Sequence, residues 1–247
     1  MGLVKMSQLL DVTNLTVRFG GLVALNNVSF DLHQGEIVGL IGPNGAGKTT
    51  MFSTLVGLVK PTEGHILLRG KEVGGKRPHE VAQAGMTKTF QNISLFPGMN
   101  VRDNVIVAAL SHADLDEAKL IADRALARLN LSSIAELNVN DLTFPQRALV
   151  EVARAIATNS KILLLDEVMA ALNPLEMDAV MEVLRSLKAE GFTLFVVEHH
   201  MRAIMRLCDR ILVLQFGALI AQGTPVEIAT NSTVIEAYLG KDSKEHH

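Results

Sequence analysis

The chain has 247 residues, 48% of them apolar, with a formal net charge of −3 and a pI near 6.2. That length and apolar content suit one sizeable α/β core with room for a subdomain and exclude a disordered chain. The weakly acidic balance offers no basic field to nucleic acid, and with no Trp and one Tyr there is no base-stacking platform, so nucleic acid is not an expected partner.

No signal peptide is expected, because the apolar stretch within Met1–Leu10 is too short. No run approaches the roughly 18 consecutive apolar residues of a membrane-spanning helix. The one cysteine, Cys208, shares an apolar helical face with Met201, Ile204 and Met205 and reads as a buried core thiol. Without a disulfide framework the chain suits a reducing cytosol. Lys244–His247 reads as part of a purification tag.

In chain order, Leu10, Val12, Leu15, Val17 and Phe19, then Val28, Phe30 and Leu32, alternate with polar residues around a Gly20-Gly21 break. This predicts an antiparallel β layer, to which His65–Gly70 adds a strand. Glu36–Ile41 reads as a buried strand, and the residues after Thr49 as a helix. Between them Gly42-Pro43-Asn44-Gly45-Ala46-Gly47-Lys48-Thr49 fits G-x-x-x-x-G-K-[ST], the phosphate-binding P-loop, in its proper strand–loop–helix setting. The glycines let backbone N–H groups wrap a triphosphate, and the helix N-terminus adds partial positive charge. Lys48 can reach the β- and γ-phosphates, and the Thr49 hydroxyl can ligate Mg²⁺. These eight residues and Thr50 are the expected nucleotide-binding set.

From about 79 to 140 the pattern turns helical, with Leu115, Ala118, Ala122, Ala125, Leu126 and Leu129 on one face and no strong strand. After 140, helices over about 144–158, 174–190 and 200–208 alternate with buried strands at 161–166, 193–198 and 211–214, the pattern of parallel βαβ units. The strand Ile162–Leu165 ends in Asp166 and Glu167. At this place in P-loop enzymes an Asp holds Mg²⁺, and an adjacent Glu suits a base for the attacking water. His199-His200 lacks a third ligand at usable spacing, so zinc is not expected.

Together these motifs resemble the ATP-binding subunits of ABC transporters over about residues 8–240. The resemblance implies an α/β fold: a P-loop NTPase (RecA-like) core with an antiparallel β subdomain and an inserted α-helical subdomain. The core and β layer would take about 8–90 and 141–240, and the helical subdomain about 91–140. It makes Gly42–Thr49 the Walker A motif and Ile162–Glu167 the Walker B motif, with Glu167 as catalytic glutamate. Gln91 becomes the Q-loop glutamine touching Mg²⁺ and water, His199 the switch histidine at the γ-phosphate, and Phe19 the aromatic stacked on adenine. Leu142–Gln146 lies where the family has its signature motif, which makes Thr143 and Gln146 nucleotide-binding residues.

Phe19–Leu25, Thr89–Ile93, Ala171–Pro174 and Tyr238–Gly240 are similar to branched-chain amino-acid importers, and urea importers share much of this pattern. The implied function is an ATP-hydrolysing subunit energising a membrane importer, with ATP and Mg²⁺ as cofactors. Its implied partners are integral-membrane subunits, a second ATPase subunit (the same or different) and, indirectly, a solute-binding protein. Its implied place is cytoplasmic, peripheral on the inner face of the cell membrane, with Ile93–Gly98 as a candidate docking surface. The competing reading is a regulatory or non-transport ABC ATPase with weak turnover. Against the non-transport form, only about 50 residues separate Gln91 from Leu142, too few for a long coiled-coil insertion.

The chain departs from the family's Leu-Ser-Gly-Gly-Gln signature with Leu142-Thr143-Phe144-Pro145-Gln146. The family uses the backbone N–H at the position of Pro145 on ATP held by the opposite subunit, and proline has none. Asn173 stands in place of the usual aspartate of the D-loop, and Val168 where many relatives have Pro.

Overall fold

A computed structural model describes residues 7–89, 94–170 and 172–239. Two sheets are stacked by the alternation of their strands. Strands β1 (Gln8–Phe19) and β2 (Leu22–His33) form a hairpin, and β4 (Glu63–Leu68) and β5 (Lys71–Glu72) extend it on the β1 side, giving the antiparallel order β2-β1-β4-β5. The apolar alternation slips by one residue between Val12 and Leu15 and again between Leu25 and Val28. Asn14 (φ 52°) and Asn27 (φ 52°) absorb the slips in left-handed backbone, so each half-strand keeps its apolar side inward.

The second sheet runs β10-β9-β3-β8-β7-β6, from β3 (Ile37–Ile41), β6 (Met86–Lys88), β7 (Ile162–Asp166), β8 (Thr193–Val197), β9 (Arg210–Gln215) and β10 (Ala218–Gly223). All neighbours are parallel except β9 and β10. Alternate residues of its inner strands feed two cores. Val38, Leu40, Leu164, Phe195, Val197 and Leu212 join the residues of the antiparallel layer and of α1 (Lys48–Leu55). Ile37, Leu163, Leu165, Leu194, Val196 and Ile211 join those of α3 (Val101–Ala109), α4 (Leu115–Arg128), α5 (Phe144–Ala157) and α6 (Pro174–Ala189). The remaining helices are α2 (Pro78–Ala84), α7 (Met201–Leu207), α8 (Pro225–Ala229) and α9 (Ser232–Leu239). Cys208 is buried after α7, and burial pushes its thiol pKa up, as a core thiol requires.

The sequence predicts no strong strand between 79 and 140, yet Met86–Lys88 forms β6 at the sheet edge, paired in parallel with β7. Three residues are too few for alternation to show; the neighbouring strand imposes the conformation. The helix expected over Asp114–Leu129 runs Leu115–Arg128, and Asp114 caps it by accepting from the N–H groups of Asp116 and Glu117. No helix among the described residues is long and apolar enough to cross a membrane.

Near the C-terminus, Tyr238 of α9 is half-buried, with its phenol beside the backbone N–H of Gly42. Burial raises the phenol above its ordinary pKa, against the opposing influence of the Gly42 N–H.

Fully buried Phe195 ties the layers together, with ring centroids 5.5 Å from Phe30 on β2 and 5.1 Å from Phe52 on α1. Phe195→Ala is expected to cost about 3–5 kcal/mol, read as a lowered denaturant midpoint.

Candidate active site

The C-terminal ends of β3, β7 and β8 meet at one rim, where ligand sites of open α/β sheets lie. Beyond β3 the loop 42–47 turns tightly into α1. A Cβ on Gly42 would stand 2.2 Å from the Leu214 carbonyl oxygen, and one on Gly47 would stand 2.7 Å from that of Ala24. Gly47 caps α1 without a side-chain hydrogen bond, and no acidic residue lies in the first turn. The helix therefore presents N–H groups and its positive end to whatever fills the loop. Lys48 is buried, and its Nζ donates to the carbonyls of Gly42 (2.7 Å) and Pro43 (3.2 Å).

Over this loop opens a cavity of about 570 Å³, within the range of small-molecule sites. Phe19, Asn44, Gly45, Ala46, Gly47, Lys48, Thr49, Thr50, Glu167 and His199 line it. Phe19 is 50% exposed at its edge, unlike the core phenylalanines. Gly42 and Pro43 belong to the loop without lining the cavity. The structure thus gathers most of the residues expected to bind the nucleotide, from four stretches of chain.

Glu167 follows β7 with a left-handed backbone (φ 56°), and its N–H donates to the Val197 carbonyl at 2.9 Å. That kink turns the chain off the sheet at the residue whose side chain reaches His199, with Oε1 2.7 Å from Nε2. Asp166 is buried; its carboxylate pairs with Lys88 at 2.8 Å, and its N–H donates to the Thr89 hydroxyl at 3.1 Å. Among the described residues no group of three or more His, Cys, Asp or Glu could hold a metal by itself. The donors on hand, the Asp166 carboxylate and the exposed Thr49 hydroxyl, are hard oxygens. Such a set fits Mg²⁺ that takes its other ligands from water and phosphates.

Thr143 and Gln146 stand apart from this cavity, at the start of α5, where the Thr143 N–H donates to Gln146 Oε1 at 2.9 Å. Pro145 lies in the first turn, where a missing N–H breaks no helical bond. Asn173 caps α6, its Oδ1 accepting from the N–H groups of Leu175 (3.0 Å) and Glu176 (3.0 Å). Asparagine does this as well as aspartate would. Val168 is buried in the core. Gln91 lies outside the described residues, as do Ile93 and Ala171.

Two further residues carry no sequence signal. Phe216, in the turn between β9 and β10, also lines the cavity. Glu198 is buried between β8 and His199, and its Oε1 accepts the Met169 N–H at 2.7 Å. Burial raises its pKa to about 7, with the nearby Glu167 and Asp166 charges adding to the shift and backbone N–H bonds opposing it. The folded protein thus holds this proton more tightly than the unfolded chain. Its contribution to stability declines as pH rises from about 4.5 to about 7. Glu198→Gln is expected to flatten that decline, with denaturant midpoints at pH 5 and pH 8 closer together than in wild type.

The ABC transporter family matches residues 25–170, and the branched-chain amino acid ATP-binding cassette transporter family matches residues 218–244. The high-affinity branched-chain amino acid transport ATP-binding protein LivG of Escherichia coli is 41% identical, over 96% of this chain and 100% of its own length. The corresponding BraF of Pseudomonas aeruginosa is 38% identical over 94% of this chain and 98% of its own. Among solved structures, the ADP conformation of MJ1267, an ATP-binding cassette of an ABC transporter, superposes with a TM-score of 0.85 at 27% identity, covering 95% of this chain and 99% of that one. Walker-type loop, strand-end acids and full-length likeness agree: the chain belongs to the ABC transporter family, as an ATP-binding subunit.

Proposed function

We propose that this chain hydrolyses ATP to energise a membrane importer of branched-chain amino acids, working at the cytoplasmic face of the membrane. The observation that carries the reading is the meeting of Lys48, Glu167 and His199 in one cavity over a P-loop. The names and lengths of LivG and BraF support the solute class.

In this reading the adenine lies against Phe19 and the triphosphate runs along Gly42–Thr50 toward the α1 N-terminus. Lys48 exchanges its loop carbonyls for β- and γ-phosphate oxygens. Thr49, Asp166 and Gln91 would hold Mg²⁺, which would offset phosphate charge when bound. Glu167 accepts a proton from the attacking water, whose oxygen bonds to the γ-phosphorus as the bond to ADP breaks. His199 leaves Glu167 to hold the γ-phosphate in place.

Two ATPase subunits close over two ATP molecules, each offering residues such as Thr143 and Gln146 to the other's nucleotide. Pro145 withholds one N–H from the partner's site, while this chain's own Walker and switch residues are intact. Pairing with a different subunit would give one strong and one weak site. The integral-membrane subunits, served by a solute-binding protein outside, dock near Ser94–Gly98. Here Phe96 is 40% exposed, and the segment is tied to α5, since the Ser94 N–H donates to Glu151 (2.8 Å) and Arg154 donates to the Ser94 carbonyl (2.8 Å). The helix that begins with the signature thus grips the docking segment, a physical route between closure and the membrane.

Glu167→Gln is expected to keep ATP affinity while lowering turnover of the assembled transporter at least 100-fold. Equal turnover would overturn the hydrolytic role. Proteoliposomes holding the complex should accumulate labelled leucine and valine with ATP inside; accumulation of urea instead would overturn the solute class. Pro145→Gly, restoring a charge-assisted bond, should raise turnover by roughly tenfold. An unchanged rate would remove the asymmetry.

A further inference from the structure

We propose that Phe216 is a second aromatic wall of the base pocket, so that the adenine of ATP is held by Phe19 and Phe216 together. This rests on the reading of the cavity as an ATP site and adds to it the residue that completes base recognition.

The argument begins with a misfit. Gln215 pairs with Ala218, so β9 and β10 are joined by the two-residue turn Phe216-Gly217. Both residues have positive φ, 49° and 77°, as a type I′ hairpin turn requires. The first slot of such a turn favours Asn or Asp, and bulky side chains are rare in left-handed backbone. Here a phenylalanine fills it with 83% of its surface exposed, the most exposed of the large apolar residues described. Neither turn chemistry nor core packing accounts for that choice.

Location does. The turn is tied to the phosphate loop and to β2: the Gly217 N–H donates to the Ala46 carbonyl (3.0 Å), and the Asn26 N–H donates to the Gly217 carbonyl (2.8 Å). A Cβ on Gly217 would stand 2.7 Å from the Ala24 carbonyl oxygen, so the turn lies tight against that strand. Ala24 is two residues along β2 from Leu22, about 7 Å at strand rise. Leu22 pairs directly with Phe19. Phe216 lines one cavity with Phe19, Leu22 and Val23 and with Lys48, Thr49, Glu167 and His199; in this reading the first group makes an apolar end for the base and the second a polar end for the phosphates. A base at the apolar end meets an exposed ring on the β1–β2 hairpin and another on the β9–β10 hairpin. Stacking on aromatic faces is the usual means of holding a purine without base-edge hydrogen bonds.

The test is calorimetric titration of the full-length chain, in Mg²⁺, with ATP and with inorganic tripolyphosphate, which lacks the base. Phe216→Asn installs the residue the turn favours, so its melting temperature should equal or exceed that of wild type. It should bind ATP about fivefold to tenfold more weakly and tripolyphosphate equally well. Phe216→Tyr, which keeps the ring, should keep ATP affinity. Unchanged ATP affinity in Phe216→Asn, beside a loss in Phe19→Ala, overturns the second wall and leaves the ATP site standing. Equal weakening toward ATP and tripolyphosphate also overturns it, because the side chain would then act through the loop. Wild-type ATP affinity in Lys48→Ala would instead remove the ATP reading of the cavity itself.

Discussion

Nothing larger than hydrogen fits on the Cα of Gly42. The Leu214 carbonyl of β9 occupies the place of a side chain, at 2.2 Å from where a Cβ would be. Gly47 is shut in the same way by Ala24 of β2, and so is Gly217, each at 2.7 Å. The phosphate loop is thereby wedged between a strand of the parallel sheet and a strand of the antiparallel one, and the β9–β10 turn is pressed into the same corner. The mutual placement of the two sheets sets the loop's curl, and the curl sets where α1 aims its N-terminus. Phe195, spanning both layers, holds that placement.

Three carboxylates crowd the strand ends beyond the loop, and each is managed differently. Asp166 is paired with Lys88, Glu167 with His199, and Glu198 is quieted by burial that favours its protonated form. Unpaired charges there would be costly in the low-dielectric interior.

Much of the architecture could be read from residue spacing because burial on one or both faces writes itself as period two or period 3.6. Leu10 through Leu32 and Ile162 through Leu165 show this, and the loop at 42–49 shows its chemistry through glycines whose absence of side chains is itself the requirement. What stayed hidden has physical causes. β6 is three residues whose conformation comes from β7. Lys88 and Glu198 acquire their meaning from neighbours remote in sequence. Asn173, conspicuous as a departure, is explained by a local cap that aspartate and asparagine serve alike. Phe216 looks like an ordinary apolar residue until its exposure and its turn are seen together. Thr143 and Gln146, legible as a motif, lie away from this chain's own cavity, at the head of α5.

The last described helix brings Tyr238 beside Gly42 of the phosphate loop. The chain has no tryptophan, and Tyr238 is its one tyrosine. Its tyrosine emission therefore comes from a single phenol placed beside the phosphate loop. The molecule thus carries one built-in optical label, next to that loop, without any attached dye.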